Sequence, residues 1–329
     1  MKRKYFHYIN FLLTIMLFVS ACKEEEYKTP EAGTTFQNDC IKRSMGPNIV
    51  GLDMEFAYAI ALPQESGKIV SAQVEASIAG ASTTYLENKS YYTNSSGVDI
   101  GIPIGEPSVN QGATTTTTFT VDTMAATLRY FYTIPEEARG KTVSFTFSAK
   151  SSTGETVSYK MGPYTIASMD MALNLEVKNE AECYISIEDM AVYTATDAAS
   201  KADKIDLVYL YRALPTVAFN HALVSPASDP QYLQGATLPV GANKNTKMRK
   251  EFNLQDRNLA NLQNGIYIDD IDFQKLDLTD APNYAINLKA ESGAWIETAD
   301  GKYRAYIFMN KINDAEKGAT ISIKRLKMN

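Results

Sequence analysis

The chain has 329 residues, with 32 Lys and Arg against 38 Asp and Glu, a formal net charge of −6. No basic block interrupts that acidity, and phosphate contacts depend on clustered Lys and Arg, so nucleic acid is set aside as a partner. With 2 His and 3 Cys in the whole chain, multi-histidine metal sites and HExxH chemistry are excluded.

At the amino terminus Lys2, Arg3 and Lys4 precede an apolar run from Ile9 to Val19. That run has the length of a secretory h-region and is too short to span a bilayer. "VSAC" at 19–22 resembles the lipobox of bacterial lipoproteins. Residues 1–21 are therefore expected to be a signal peptide, with Cys22 the acylated first residue of the mature chain. Acyl chains insert at about 0.8 kcal/mol per buried methylene, enough for several to tether the protein without crossing the membrane. Lys23, Glu24, Glu25 and Glu26 follow at once. They resemble the signal that exports Bacteroidetes lipoproteins to the outer face of the outer membrane. The expected location is the outer membrane, lipid-anchored and facing the exterior. Residues 22–40, with Pro30 and Gly33, read as the acylated cysteine and a flexible stalk.

Residues 41–168 alternate. Leu52, Met54, Phe56, Tyr58, Ile60 and Leu62 share one parity, with Asp53, Glu55, Ala57 and Ala59 between them. Period-two patterning predicts a strand with one buried face. Val70, Val74 and Ile78 continue it, then Phe119 and Val121 after a threonine run, then Leu128, Tyr130, Tyr132 and Ile134. Val143, Phe145 and Phe147 follow, and after the Thr153-Gly154 turn Val157, Tyr159 and Met161. About seven short strands in this span predict an Ig-like β-sandwich, with "TIPEEARGK" at 133–141 crossing between its sheets.

Residues 169–329 give a mixed signal. Strands are expected at Cys183–Glu188, Ile205–Arg212, Trp295–Thr298, Tyr303–Asn310 and Thr320–Leu326, with Asp300-Gly301 as a hairpin turn. One helix is predicted from an N-cap at Thr196. Another has Asp256 as cap, Leu259 and Leu262 as apolar face, and Gly265 as stop. Residues 213–250 read as long loops. The expected fold class is mainly β: an Ig-like β-sandwich followed by a β-rich domain with a few short helices.

"MGPNIVG" at 45–51, "AATLRYFYTIPEEARGK" at 125–141, "CYISIEDMAVYTA" at 183–195 and "DGKYRAYIFMNKI" at 300–312 are similar to a family of Bacteroidales surface lipoproteins. The resemblance covers nearly the whole mature chain and implies an Ig-like first domain and a β-rich second one. That family is classed as a domain of unknown function, and it carries over no catalytic residues.

The candidate chemistry is sparse. Asp269, Asp270 and Asp272 offer oxygen ligands for a structural Ca²⁺ but lack the EF-hand spacing. Read as a strand, Asp270 and Asp272 share one face beside buried Ile266, Ile268, Ile271 and Phe273. No other cofactor is implied. Trp295, Tyr303 and Tyr306 flank one hairpin and are the candidate sugar-stacking rings, although Tyr303 and Tyr306 point to opposite faces of their strand. Asp122-Thr123-Met124 resembles a Bacteroidetes O-glycosylation motif, which makes Thr123 a candidate acceptor. His221, in "FNHALV", reads as a core or edge residue, and Cys40 and Cys183 read as buried thiols. There is no G-x-S-x-G, P-loop or dinucleotide fingerprint.

The leading expectation is a non-enzymatic surface protein that binds polysaccharide through its second domain. The alternative is a structural or adhesive protein that docks another outer-membrane protein. Exposure of Trp295 discriminates: its burial, with few open aromatics beside it, favours docking.

Overall fold

The computed structural model describes residues 33–213, 218–260 and 265–328. Expectations for the signal peptide, for Cys22, for Lys23, Glu24, Glu25 and Glu26, and for Leu262 lie outside the described residues.

The fold is mainly β. Strand β1 (Gln37–Lys42) pairs antiparallel with β2 (Asp53–Ala61), and Phe36 and Cys40 are buried. Residues 37–40, expected to belong to the stalk, are instead part of a sheet. Along β2 the parity holds: Met54, Phe56, Tyr58 and Ile60 all face inward. After it come β3 (Ile69–Ala76), β4 (Tyr85–Leu86), β5 (Lys89–Thr93), β6 (Asp99–Pro103), β7 (Val109–Gln111), β8 (Thr114–Thr123), β9 (Ala125–Thr133), β10 (Thr142–Ser151) and β11 (Thr156–Thr165). One sheet has the order β1-β2-β9-β4 and the other β11-β10-β3-β8-β7, with β5-β6 a separate hairpin. Between the sheets Phe56, Tyr130, Phe145 and Phe147 form a ring cluster, with Phe56 and Phe145 centroids 4.8 Å apart. The "TIPEEARGK" segment carries a short 3-10 turn, Glu136–Ala138, where the chain passes from one sheet to the other.

Two expected inward residues are displaced. A register shift between Ile69 and Ser71 turns Ile69 inward, while Val70 lies partly exposed. Such a bulge puts two residues opposite one and breaks strict alternation. At the end of β8, Val121 is 52% exposed.

The second half holds β12 (Asp170–Lys178), β13 (Tyr184–Ser186), β14 (Ala191–Tyr193), α1 (Ala195–Ala199), β15 (Leu207–Ala213), β16 (Ala218–Val224), α2 (Pro230–Leu233), β17 (Lys247–Phe252), α3 (Arg257–Ala260), α4 (Asp270–Lys275), β18 (Tyr284–Leu288), β19 (Ser292–Glu297), β20 (Tyr303–Asn313) and β21 (Gly318–Lys327). Its sheets run β12-β21-β20-β19-β17 and β14-β13-β15-β16-β18. The region expected as loops thus contains β16, α2 and β17. Strand β16 is buried on both faces, so it shows no alternation to read. Helix α1 is capped by Thr194, whose hydroxyl accepts from the Asp197 N–H, two residues before the expected cap.

The β12-β21-β20-β19-β17 sheet is covered on both sides. Ile296, Ile307, Ile321 and Ile323 face the second sheet. Trp295, Tyr306, Phe308 and Leu326 face the segment carrying α3 and α4, together with Ile49, Ala167 and Met169. Ile49 comes from the first sandwich, so this cluster also joins the halves.

Candidate functional site

The tertiary structure does not assemble the expected sites. Trp295 and Tyr306 pair across strands with ring centroids 4.8 Å apart, and both are buried. Phe273 of α4 packs edge-on against Trp295, so neither ring can stack on a sugar. Tyr303 sits on the opposite face, half-buried, with the Arg325 guanidinium 4.8 Å from its ring. The acidic stretch is a helix start and not a strand. Asp269 is the N-cap, accepting from the N–H groups of Ile271 and Asp272, and the Asp272 side chain accepts in return from the Asp269 N–H. That capping box occupies the carboxylates of Asp269 and Asp272, and Ile266 and Ile271, expected inside, are exposed. Among the described residues no group of three or more His, Cys, Asp or Glu could hold a metal ion. Thr123 is 6% exposed and its hydroxyl donates to the Val121 carbonyl, which withdraws it as a sugar acceptor.

His221 is a core residue in a short relay: the Tyr209 hydroxyl lies 2.5 Å from Nδ1, and Asp314 lies 2.9 Å from Nε2. Cys40 and Cys183 are free and buried. Burial, helped by Asp39, pushes the Cys40 thiol up to about 12, and burial pushes Cys183 up to about 11. Neither is a nucleophile near neutrality.

The face that does stand open is the outer face of the β1-β2-β9-β4 sheet. Its outward rows follow from register: Ile41 beside Ala57 and Arg129, Asp39 beside Ala59 and Thr127, Gln37 beside Ala61 and Ala125. Alanines occupy positions where long polar side chains would normally shield a solvent face. A shallow groove of about 410 Å³ results, floored by Ala59, Ala61, Ala125 and Thr127 and bounded by Asp39 and Ser90.

The β5-β6 hairpin forms one wall of that groove, and Arg129 fastens it down. Arg129 is 6% exposed. Its guanidinium pairs with Glu55 at 3.1 Å and with Asp99 of β6, while the Tyr91 ring of β5 lies 5.2 Å away. Arg43 adds a 2.8 Å pair to Glu55. The Thr93 hydroxyl first, then Arg129 and Arg43, hold the Asp99 carboxyl below its ordinary value. A buried guanidinium needs this matched pairing. On the hairpin face shared with Ser90, Tyr92 pairs with Ile100 and Ser90 with Ile102. Tyr92, Ile100 and Ile102 are 53%, 37% and 52% exposed. At the other end of the sheet Tyr85 stacks on Phe131, centroids 4.9 Å apart.

Sequence reasoning passed over this hairpin because its side chains meet solvent and leave no buried period. A usable signal was present in Ala57, Ala59 and Ala61, which put small residues where an outward face calls for polar ones.

Residues 33–166 match the model of a domain of unknown function, DUF4466, and residues 167–328 match a second, DUF8576. A solved DUF4466 family protein from Parabacteroides merdae is 49% identical, with a TM-score of 0.84, over 90% of this chain and 99% of that one. The chain belongs to the DUF4466 family. The expected kinship with a Bacteroidales family of unknown function holds at that level. The two matched regions meet between Ile166 and Ala167, in the passage from β11 to β12. BcpA, the major pilin subunit of Bacillus cereus, aligns over 88% of this chain and 65% of its own at 7% identity, with a TM-score of 0.29, too low to bear on fold or function. No curated protein matches the chain.

Proposed function

We propose that this protein is a lipoprotein of the outer membrane, anchored through Cys22 and facing the exterior, that works without catalysis by docking another surface protein. The lipobox and the Lys23–Glu26 run support the address. The docking reading rests on one observation: exposed Tyr92, Ile100 and Ile102 stand on the hairpin beside an alanine-floored groove. Clustered exposed apolar side chains mark interaction surfaces more often than solvent faces. The small floor lets a partner's backbone approach closely, and the clamped hairpin brings little ordering cost to binding.

The test is capture from outer-membrane extract by the mature protein, compared with Ile102→Glu and Ala59→Arg variants of unchanged melting temperature. One partner captured by the wild type and lost from both variants is the expected result. Equal capture by all three, or none by the wild type, overturns the docking site. Protease digestion of intact cells reads the outward orientation.

Polysaccharide binding is the second reading, here through the first domain, because the rings expected to carry it in the second are closed. The observation favouring it is the exposed Tyr85 ring held rigid on Phe131. Affinity electrophoresis across a polysaccharide panel, with Tyr85→Ala as control, separates it from protein docking.

A further inference from the structure

A second pocket lies far from the docking face in sequence and belongs to the second domain. It has a volume of about 490 Å³ on the side of the β12-β21-β20-β19-β17 sheet that α3 covers, and Asn174, Asn258, Asn310, Glu291, Leu173 and Phe308 line it.

Its walls are shaped by departures from regular backbone. In β12 the register shifts between Ala172 and Leu175, which turns Leu173 and Asn174 out of the ladder. Asn174 sits at φ 55° and Glu291 at φ 65°. Non-glycine residues in this region cost energy and gather where surrounding structure holds them for a purpose. Here the hold is visible. The Asn174 N–H donates to the Ser322 hydroxyl at 3.1 Å, and the Glu291 N–H donates to the Met309 carbonyl at 2.9 Å.

The amides are locked from behind. The Ser322 hydroxyl donates to Asn310 Oδ1 at 2.7 Å, and Asn310 Nδ2 donates to the Leu259 carbonyl at 2.7 Å. That leaves Asn310 one N–H for another partner. Asn258 Oδ1 accepts from the buried Lys324 ammonium at 3.0 Å, so its NH₂ group is the part left over. Rear hydrogen bonds of this kind fix a polar side chain in one orientation before a ligand arrives. The pocket thus presents amide donors, a further amide at Asn174, a carboxylate acceptor at Glu291, and the exposed apolar side chain of Leu173, with buried Phe308 behind it. Among the described residues no Lys or Arg lines it, which disfavours an anionic ligand.

From this arrangement we infer that the pocket binds a neutral, polyhydroxylated ring of sugar type. Vicinal hydroxyls each donate and accept, and paired amide and carboxylate groups match them, while the exposed Leu173 side chain takes the C–H face. The volume fits one or two such rings. The site is independent of the docking face and stands or falls without it.

The test uses saturation-transfer NMR on the mature protein with glucose, galactose, mannose and N-acetylglucosamine as probes. Asn174→Gly and Glu291→Gly remove the ligand groups at positions where glycine accepts the positive φ without strain, so the fold is retained. At least one probe is expected to bind the wild type, to weaken tenfold or more in each glycine variant, and to be unaffected by Tyr85→Ala. No signal from any probe overturns the inference and leaves protein docking untouched. A signal lost in Tyr85→Ala but kept in the glycine variants also overturns it, and assigns sugar binding to the first domain instead.

Discussion

Lys324 has no exposed side-chain surface, and neither does its partner Asp256. Burial pushes the Lys324 pKa down, and Asp256 opposes that shift. The ammonium reaches Asp256, Asn258 and the Ile268 carbonyl at 3.1 Å, so all three of its protons find acceptors. Asp256 also caps α3 and accepts from the Ile268 N–H at 2.6 Å, and this one carboxylate ties a helix start, a loop and the last strand together. Asp300 behaves differently, since its side chain is 44% exposed. Burial pushes its carboxyl up, but hydrogen bonds from the Lys302 side chain, the Lys302 N–H and Thr298 outweigh that and hold it at about 2, below its ordinary value of 3.8. A carboxyl depressed on folding adds stability that is complete above its unfolded pKa and lost as pH falls through its folded pKa. Asp300→Asn is therefore expected to lower the melting temperature slightly at pH 7, with the gap closing between pH 4 and pH 2. Thermal denaturation across that range measures it, and a constant gap would remove the assignment. The hairpin turn at Asp300-Gly301 was legible in sequence because turn chemistry is local. The burial of Lys324 was not, because nothing near a lysine in sequence announces the carboxylate that will meet it.

At the scale of elements, alternation succeeded where a strand has one wet face and failed where it has two dry ones. Strand β2 and strand β9 were readable from parity. Strand β19 is buried at five of its six positions, so "SGAWIE" shows no period, and nothing in it tells that both faces of the sheet carrying Trp295 are covered. The "YIDDIDF" segment failed for a different reason. Ile266 and Ile268 suggest period two, yet Asp270 breaks it and Asp269 and Asp272 stand three apart, the spacing of a capping box, and the helix wins by satisfying its own first N–H groups. Asp269→Ala is expected to cost about 1 kcal/mol in urea denaturation. An unchanged midpoint would show that α4 is held by Phe273 packing alone.

At the scale of the molecule, the halves share a junction that combines apolar packing with a charged clasp. Ile49 enters the cluster of Trp295 and Phe273, and Gly46, at φ 83°, lets the first sandwich's backbone meet the Tyr267 ring closely. Arg139, from the corner of the first sandwich, pairs with Asp170 of β12 at 2.7 Å, and Arg325 of β21 takes the other oxygen of the same carboxylate. Asp170→Ala leaves two guanidinium groups without their shared anion. Its expected effect is a red shift and easier acrylamide quenching of Trp295, the only tryptophan in the chain. An unchanged spectrum would mean that the apolar cluster alone sets the junction.

Sequence by itself determined what depends on neighbours along the chain: the mainly β character, the inward parity of β2, β9 and β10, the hairpin turn, and the resemblance to a Bacteroidales family. These are local in origin, since side-chain period and turn residues act over a few positions. Only the tertiary structure decided which surfaces stay open. Trp295 and Tyr306 closed because a distant segment, with α3 and α4, covers their sheet. The alanine-floored groove and the amide pocket opened because register, a bulge and a clamped hairpin bring together residues far apart in sequence. Exposure is a property of what packs on top, and that partner is chosen by the whole fold.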